Sequence, residues 1–170
     1  SCACSAGPAF EGGDISCGMR ATDGAIEACS IDAKTMEPTF SVIGKEGQKP
    51  VGLCGSGIID VIAELFRCGI ISPKGKFVRE GDRVRHDHYG IGSYVLAFKE
   101  DAAGHKDVEI NEVDIDNFIR AKGAIFSAIC TMLRSLDFDV SMIENVYVAG
   151  GIGSGINMGN AIEIGMFPDI

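Results

Sequence analysis

The clearest periodic pattern in the chain is an amphipathic stretch that predicts a helix beginning near Ser56 and ending before Gly69. Apolar residues recur in it at intervals of three and four, the spacing of one helix face. Ser56 is predicted to cap the free N–H groups of the first turn. Asp60, Glu64 and Arg67 fall between the apolar positions, so we expect them on the opposite, polar face.

A longer helix is predicted over about residues 114–136, where apolar residues form one broad stripe. Its middle, residues 121–124, has small side chains around one lysine, which would let another backbone approach closely. Short strands are predicted from apolar runs and from alternating apolar and polar positions. These strands cover residues 25–31, 39–43, 93–99 and 108–110.

Near the other end of the sequence, residues 145–149 form a short apolar run that predicts a buried strand. The run leads directly into a glycine-rich turn at residues 150–155. Asn157 is predicted to cap a short helix that ends at Gly165. A helix, a strand, a glycine turn and a second helix in succession predict an α/β fold.

Composition limits the class of protein. The 170 residues are 46% hydrophobic, enough for one domain with a core. No apolar run approaches the about 18–20 residues that a membrane span needs. The net charge of −9 disfavours binding to a phosphate backbone. We therefore expect a soluble, cytoplasmic protein with no nucleic-acid and no membrane partner.

Seven cysteines occur, with no C-x-x-C spacing, so neither a zinc knuckle nor a ferredoxin-type cluster is indicated. Four of them lie in apolar stretches and are predicted to be buried thiols in a reducing compartment. Cys2 and Cys4 could place two thiols on one strand face, which alone makes a weak metal site, and their role stays open.

Glycine is the unusual component, with 23 residues, roughly twice the average usage of about 7%. The turn at 150–155 follows a buried strand and opens a helix, an arrangement that brings backbone N–H groups near a phosphate or nucleotide. The dinucleotide pattern fails because Ile156 occupies the position of its third glycine. A nucleotide-binding turn of another type and a purely structural turn both stay open.

A second glycine cluster occupies residues 5–13, where Glu11 is the only charged residue. Such a segment could contact an anion, hold a carboxylate near a metal ion, or form a tight structural turn. The candidate residues in it are Ser5, Gly7 and Glu11.

Seven segments resemble, in the same order, the C-terminal region of the reductive activators of corrinoid proteins. These segments are residues 4–13, 17–21, 52–60, 121–125, 148–153, 160–162 and 165–169. The resemblance implies an α/β fold: a partial actin-like ATPase (ribonuclease H-like) domain with a mixed sheet and flanking helices. It also implies that residues 1–170 are a single truncated domain of a larger multidomain protein.

The activity that the resemblance implies is ATP-dependent reduction of a Co(II) corrinoid protein to Co(I). ATP with Mg would be the nucleotide, and electrons would come from a [2Fe-2S] cluster in a ferredoxin-like domain outside this chain. By position, Gly150, Gly151 and Gly153 would form the adenosine-contacting turn, flanked by Ser154 and Asn157.

The sequence departs from the family pattern because it lacks the D-x-G-T or D-x-G-G phosphate hairpins of actin-like ATPases. No catalytic residue and no metal ligand is assigned, and we expect the 170 residues alone neither to hydrolyse ATP nor to carry a cluster. Two other functions stay open: a non-catalytic docking module for a corrinoid or other partner protein, and an activator of a different radical or redox enzyme. A homodimer is possible, and the role of residues 74–107 is open.

Overall fold

A computed structural model of the chain describes residues 8–11, 13–147 and 157–165. Two three-stranded sheets and three α-helices form the described part of the fold. The buried core is mostly aliphatic and is contributed by both sheets and all three helices. Among the described residues, no helix is long and apolar enough to cross a membrane.

The first sheet contains β1 (Ala25–Ile31), β2 (Pro38–Val42) and β3 (Gly52–Leu53). The strand order is β2-β1-β3, with β1 antiparallel to β2 and parallel to β3. The sheet is therefore mixed, as predicted. The prediction for β1 is confirmed residue for residue, and that for β2 is displaced by one residue.

The second sheet contains β4 (Val84–His86), β5 (Gly92–Ala97) and β6 (Val108–Asn111), all antiparallel. Its central strand carries the fully buried Tyr94, whose hydroxyl donates a 2.8 Å hydrogen bond to the carbonyl oxygen of Met36. This bond ties the second sheet to the connection between β1 and β2.

The helices are α1 (Gly55–Arg67), α2 (Glu112–Ser135) and α3 (Met158–Glu163), with short 3₁₀ helices at Pro8–Glu11 and Val140–Met142. The predicted helices are confirmed, each within two residues of its expected ends. Gly69, Asn157 and Gly165 make the end of α1 and both ends of α3 predictable, because glycine and asparagine favour helix caps.

The start of α2 is fixed by a capping box that also anchors a distant segment. The Asn111 side chain accepts from the backbone N–H of Asp114 at 2.8 Å, and an Asp114 oxygen accepts from the Asn111 N–H at 3.1 Å. The same buried carboxylate accepts from the backbone N–H and the hydroxyl of Ser16, at 2.9 and 2.7 Å. One aspartate thus joins the segment before β1 to α2.

The predicted cap of α1 is wrong by two residues. The N-cap position is Cys54, which makes no side-chain capping hydrogen bond, because β3 runs directly into the helix. Ser56 lies inside the first turn, and its hydroxyl donates to the carbonyl oxygen of Glu27 at 2.8 Å. Its contribution is to attach α1 to the edge of β1 instead of closing the helix end.

The strand predicted over residues 145–149 is not formed at residues 145–147, and residues 148–149 lie outside the described part. None of the described strands pairs with 145–147, and a strand without a partner is not stable in water. Tyr147 is 90% exposed. Local apolar composition therefore predicted a strand that residues 145–147 do not form.

Replacing Gly57 with alanine tests how closely α1 approaches β1. A Cβ on Gly57 would collide with the backbone carbonyl oxygen of Ile26, which cannot move without displacing the strand. We expect Gly57→Ala to lower the free energy of unfolding by about 3 kcal/mol, measured as a shift of the urea midpoint at constant slope.

The matched control is Gly123→Ala, also inside a helix, where a Cβ would meet no described atom within 4 Å. Because alanine has the higher helix propensity, this change should raise stability by up to about 1 kcal/mol. Equal effects of the two substitutions would contradict the close approach of α1 to β1.

Candidate functional site

The two carboxylates of α1 that were expected on its polar face are buried, each being 6% exposed. Asp60 accepts a hydrogen bond from the backbone N–H of Cys29 at 3.2 Å. Glu64 accepts one from the N–H of Ile31 at 3.4 Å. Both N–H groups belong to β1, so the carboxylates bind a strand edge and do not face solvent.

This correction has a physical cause in the length of β3. β3 pairs only with Ala25 and Ile26, so the rest of that edge of β1 has no strand partner among the described residues. Buried backbone N–H groups require an acceptor. Asp60 and Glu64 are one helical turn apart, and this spacing matches two N–H groups that are two residues apart on a strand.

The same carboxylates connect α1 to α3 through Asn160, which is 5% exposed. The Asn160 amide nitrogen donates to Asp60 Oδ1 at 2.9 Å, and its amide oxygen accepts from Arg67 Nη2 at 2.6 Å. Arg67 also donates to Glu64 Oε1 at 2.6 Å and to Glu163 Oε2 at 2.9 Å. We call Asp60, Glu64, Arg67, Asn160 and Glu163 the α1–α3 network.

Arg67 carries the positive charge of the α1–α3 network. The hydrogen bond to Glu163, together with the charges of Glu64 and Glu163, raises the pKa of the Arg67 guanidinium above its ordinary value. The cation therefore stays charged beside the buried carboxylates. No buried side-chain nitrogen or oxygen in the described part of the chain lacks a hydrogen-bond partner.

On its apolar side α3 packs against α1. A small groove between the three helices has apolar walls and one lysine, Lys122, on α2. The residues lining it are Ile62, Phe66, Pro73, Phe118, Ile119, Lys122 and Ile164. Ala161 and Ile164 of the α3 region are buried there, so α3 is held by apolar packing as well as by the network.

Of the predicted site residues, the structure describes Asn157 most fully. Asn157 is the N-cap of α3, and its side-chain oxygen accepts from the Asn160 N–H at 3.0 Å, which confirms the predicted cap. Gly165 ends the helix with a positive φ of 77°, also as predicted.

The other predicted site residues lie outside the described part of the chain or are described only in part. Gly150, Gly151, Gly153 and Ser154 are outside it, as are Ser5 and Gly7. Glu11 is the last residue of the 3₁₀ helix Pro8–Glu11, which packs against α1 and α2. The structure therefore brings the 3₁₀ helix Pro8–Glu11 and α3 to the same helix, α1.

Sequence reasoning missed the α1–α3 network. One signal was present: Ile59 and Ala63 widen the apolar face of α1, which leaves only a narrow polar strip at Asp60, Glu64 and Arg67. A helix with so wide an apolar face is expected to be largely covered by other elements. Charged residues within such a helix must then find buried partners.

The described thiols do not fit an iron–sulfur cluster. Cys29 and Cys54 are buried, and burial raises the pKa of Cys17, Cys29 and Cys68. In the described ranges no group of three or more His, Cys, Asp or Glu side chains is placed to hold a metal ion.

The fold, an α/β domain with a mixed sheet and flanking helices, belongs to the actin-like ATPase class. The sequence model described as "C-terminal domain of RACo the ASKHA domain" matches residues 1–170, so the chain belongs to this family. The resemblance and the fold class inferred from the sequence are both confirmed.

Three similar proteins are each longer than this chain. "Corrinoid activation enzyme RamQ" of Eubacterium limosum is 37% identical over 172 residues, which cover 96% of this chain and 28% of the relative. "[Co(II) methylated amine-specific corrinoid protein] reductase" of Methanosarcina barkeri is 27% identical over 188 residues, covering 96% and 30%.

A solved structure, "Reductive activator for corrinoid,iron-sulfur protein", superposes with a TM-score of 0.91 at 47% identity. The match covers 99% of this chain and 27% of that one. This chain thus spans less than a third of the length of each of these relatives.

Because Cys29 is buried beside the α1–α3 network, we expect the folded protein to lose stability at alkaline pH. Burial, followed by the charges of Glu64 and Asp60, raises the pKa of Cys29 from 9.0 to about 12. Between these values the unfolded thiol loses its proton first, so stability falls as pH rises. Burial also raises the pKa of Tyr94, which acts in the same direction.

We expect the free energy of unfolding to decrease from about pH 9 towards pH 12, and Cys29→Ala to show a shallower decrease. Urea titrations at several pH values measure both slopes. Ser30→Ala, at the exposed neighbouring position on β1, should keep the wild-type slope. An unchanged slope in Cys29→Ala would contradict the buried, protonated thiol.

Proposed function

We propose that residues 1–170 are a single truncated domain, the C-terminal actin-like ATPase region of a larger multidomain reductive activator. The full-length protein would return a corrinoid protein from its Co(II) state to Co(I). The observation that carries this proposal is the match of the whole chain to the family, together with the 47% identity to a reductive activator over 99% of this chain.

In the proposed reaction one electron passes from a reduced [2Fe-2S] cluster, in a domain outside this chain, to Co(II), which becomes Co(I). Each 59 mV of unfavourable one-electron potential costs about 1.4 kcal/mol, so a gap of about 300 mV needs about 7 kcal/mol. ATP hydrolysis coupled to a change in domain arrangement is the proposed source of that free energy.

The nucleotide site that we propose consists of Gly150, Gly151 and Gly153, flanked by Ser154 and Asn157. The start of α3 directly after these residues in the sequence supports it, because the free N–H groups at the start of a helix favour anionic groups. The absence of Cβ atoms would let adenosine approach the backbone closely.

Mg²⁺ would be held mainly by the ATP phosphates and by groups outside the described residues. The carboxylates nearest α3 are not free to bind the ion. Asp60, Glu64 and Glu163 already accept hydrogen bonds from β1 or from within the α1–α3 network. Mg²⁺ commonly takes few protein ligands besides phosphates and water.

Ser5, Gly7 and Glu11 are proposed as a second part of the nucleotide site, in the loop that precedes or forms the 3₁₀ helix. The packing of this helix against α1 and α2 supports the assignment, because α3 packs on α1 as well. Both glycine clusters would then approach one ligand from different sides.

A docking module without ATPase function is the second candidate. Residues 136–147 favour it, because they expose several large apolar side chains in one stretch. These side chains are Leu136, Phe138, Met142, Val146 and Tyr147. Exposed apolar patches of this kind are typical of protein–protein contacts.

The test uses the full-length protein, prepared without oxygen, with a Co(II) corrinoid protein and a chemical reductant. We expect Co(I), followed by its absorbance, to accumulate with ATP and not with ADP. Gly153→Val should weaken ATP binding at least about tenfold, because its side chain would occupy the space of the ligand. Gly104→Ala, at an open position, is the matched control.

Equal rates of Co(I) formation with and without ATP would contradict an ATP-dependent activator. Tight binding of the corrinoid protein, combined with no measurable ATP binding, would identify the docking module instead.

A further inference from the structure

The helix α3 has only six residues and depends on its contacts for its position. Isolated helices shorter than about 12 residues are marginal in water, so tertiary contacts must hold it. The polar part of those contacts is the α1–α3 network, in which Asn160 bonds to Asp60 and to Arg67.

Asn160 has a particular place in this network. It is the one neutral member of a set that also contains three carboxylates and a guanidinium. Its amide nitrogen points to a carboxylate and its amide oxygen to the arginine, so both ends of the side chain are used. A buried amide that is hydrogen-bonded at both ends has one preferred orientation.

Asn160 is also bonded to the residue that starts the helix. Its backbone N–H donates to the Asn157 side chain at 3.0 Å, and the N–H of Ala161 donates to the Asn157 carbonyl oxygen at 3.0 Å. A displacement of Asn160 would therefore displace Asn157. Through Asp60, the same residue is connected to the backbone of β1 at Cys29.

We propose that Asn160 is a positioning residue for nucleotide binding. It holds α3 on α1 and β1, and so fixes Asn157, one of the residues of the proposed nucleotide site. This inference rests on the proposed function. Beyond that function, the inference states that ATP affinity depends on the partly buried α1–α3 network, whose members do not contact the nucleotide.

An exchange of the two side chains tests the proposal while keeping the hydrogen bonds. In Asn160→Asp alone, two carboxylates would face each other across the Asp60 contact. In Asp60→Asn alone, the new amide cannot accept from both Cys29 N–H and Asn160 with its single oxygen correctly placed.

The double variant combines Asp60→Asn with Asn160→Asp. The amide introduced on α1 would accept from the Cys29 N–H with its oxygen and donate with its nitrogen to the carboxylate introduced on α3. That carboxylate would still accept from Arg67. Every bond of the wild type therefore has a counterpart, and the net charge is unchanged.

The measurement is ATP affinity by calorimetry in the full-length protein, with the melting temperature of each variant recorded separately. We expect each single variant to bind ATP on the order of tenfold more weakly while still folded, and the double variant to recover to within about threefold of wild type. Asn117→Asp adds the same charge at a position with one exposed hydrogen bond, and should bind ATP like wild type.

Single variants that melt at lower temperature but bind ATP normally would overturn the inference, since the network would then be structural only. Weak binding in the double variant would also overturn it. A wild-type protein that binds no ATP would instead refute the proposed function, and the inference with it.

If a single variant fails to fold, Arg67→Lys takes its place, because the Arg67 side chain is half exposed. Lysine keeps the charge but cannot replace the forked contacts to Glu64, Asn160 and Glu163. We expect it to weaken ATP binding several-fold, and normal binding in a folded Arg67→Lys protein would overturn the proposal.

Discussion

Beyond Ile26, one edge of β1 has no strand partner in the described structure, and its buried N–H groups must still be satisfied. Asp60 and Glu64 meet this requirement, which places two carboxylates in a region with little solvent. Buried carboxylates need donors in turn, and Arg67 and Asn160 supply them. The close approach of α1 to β1 at Gly57 and the attachment of α3 both follow from this one constraint.

Much of the fold could be predicted from the sequence because its signals are local. The start of α3 was predicted from Asn157, which caps it through a contact three residues away. The start of α2 was predicted two residues late, from the apolar stripe alone, because the cap at Asn111 was not identified. β1 was predicted residue for residue from its apolar pattern. The candidate site could be predicted only as a set of positions, by resemblance to a family, and of these positions the structure describes Asn157, at the start of α3, most fully.

The missed features depend on contacts that are distant in sequence. Burial of Asp60 follows from the two-residue length of β3, which no pattern within α1 reveals. The strand expected at 145–149 failed at residues 145–147 because strand formation needs a neighbouring strand, and apolar composition does not supply one. Asn160, three residues after a predicted cap, gave no sign of its bond to a residue one hundred positions earlier.

A partly buried network joins the β1–α1 core to α3, and we propose that α3 serves nucleotide binding. Amide hydrogen exchange at Ile31 and Asn160, in the full-length protein with and without ATP, tests both points together. We expect both amides to be protected and ATP to slow exchange at Asn160 further. Exchange at Asn160 as fast as in an unstructured chain, with or without ATP, while Ile31 stays protected, would contradict this expectation.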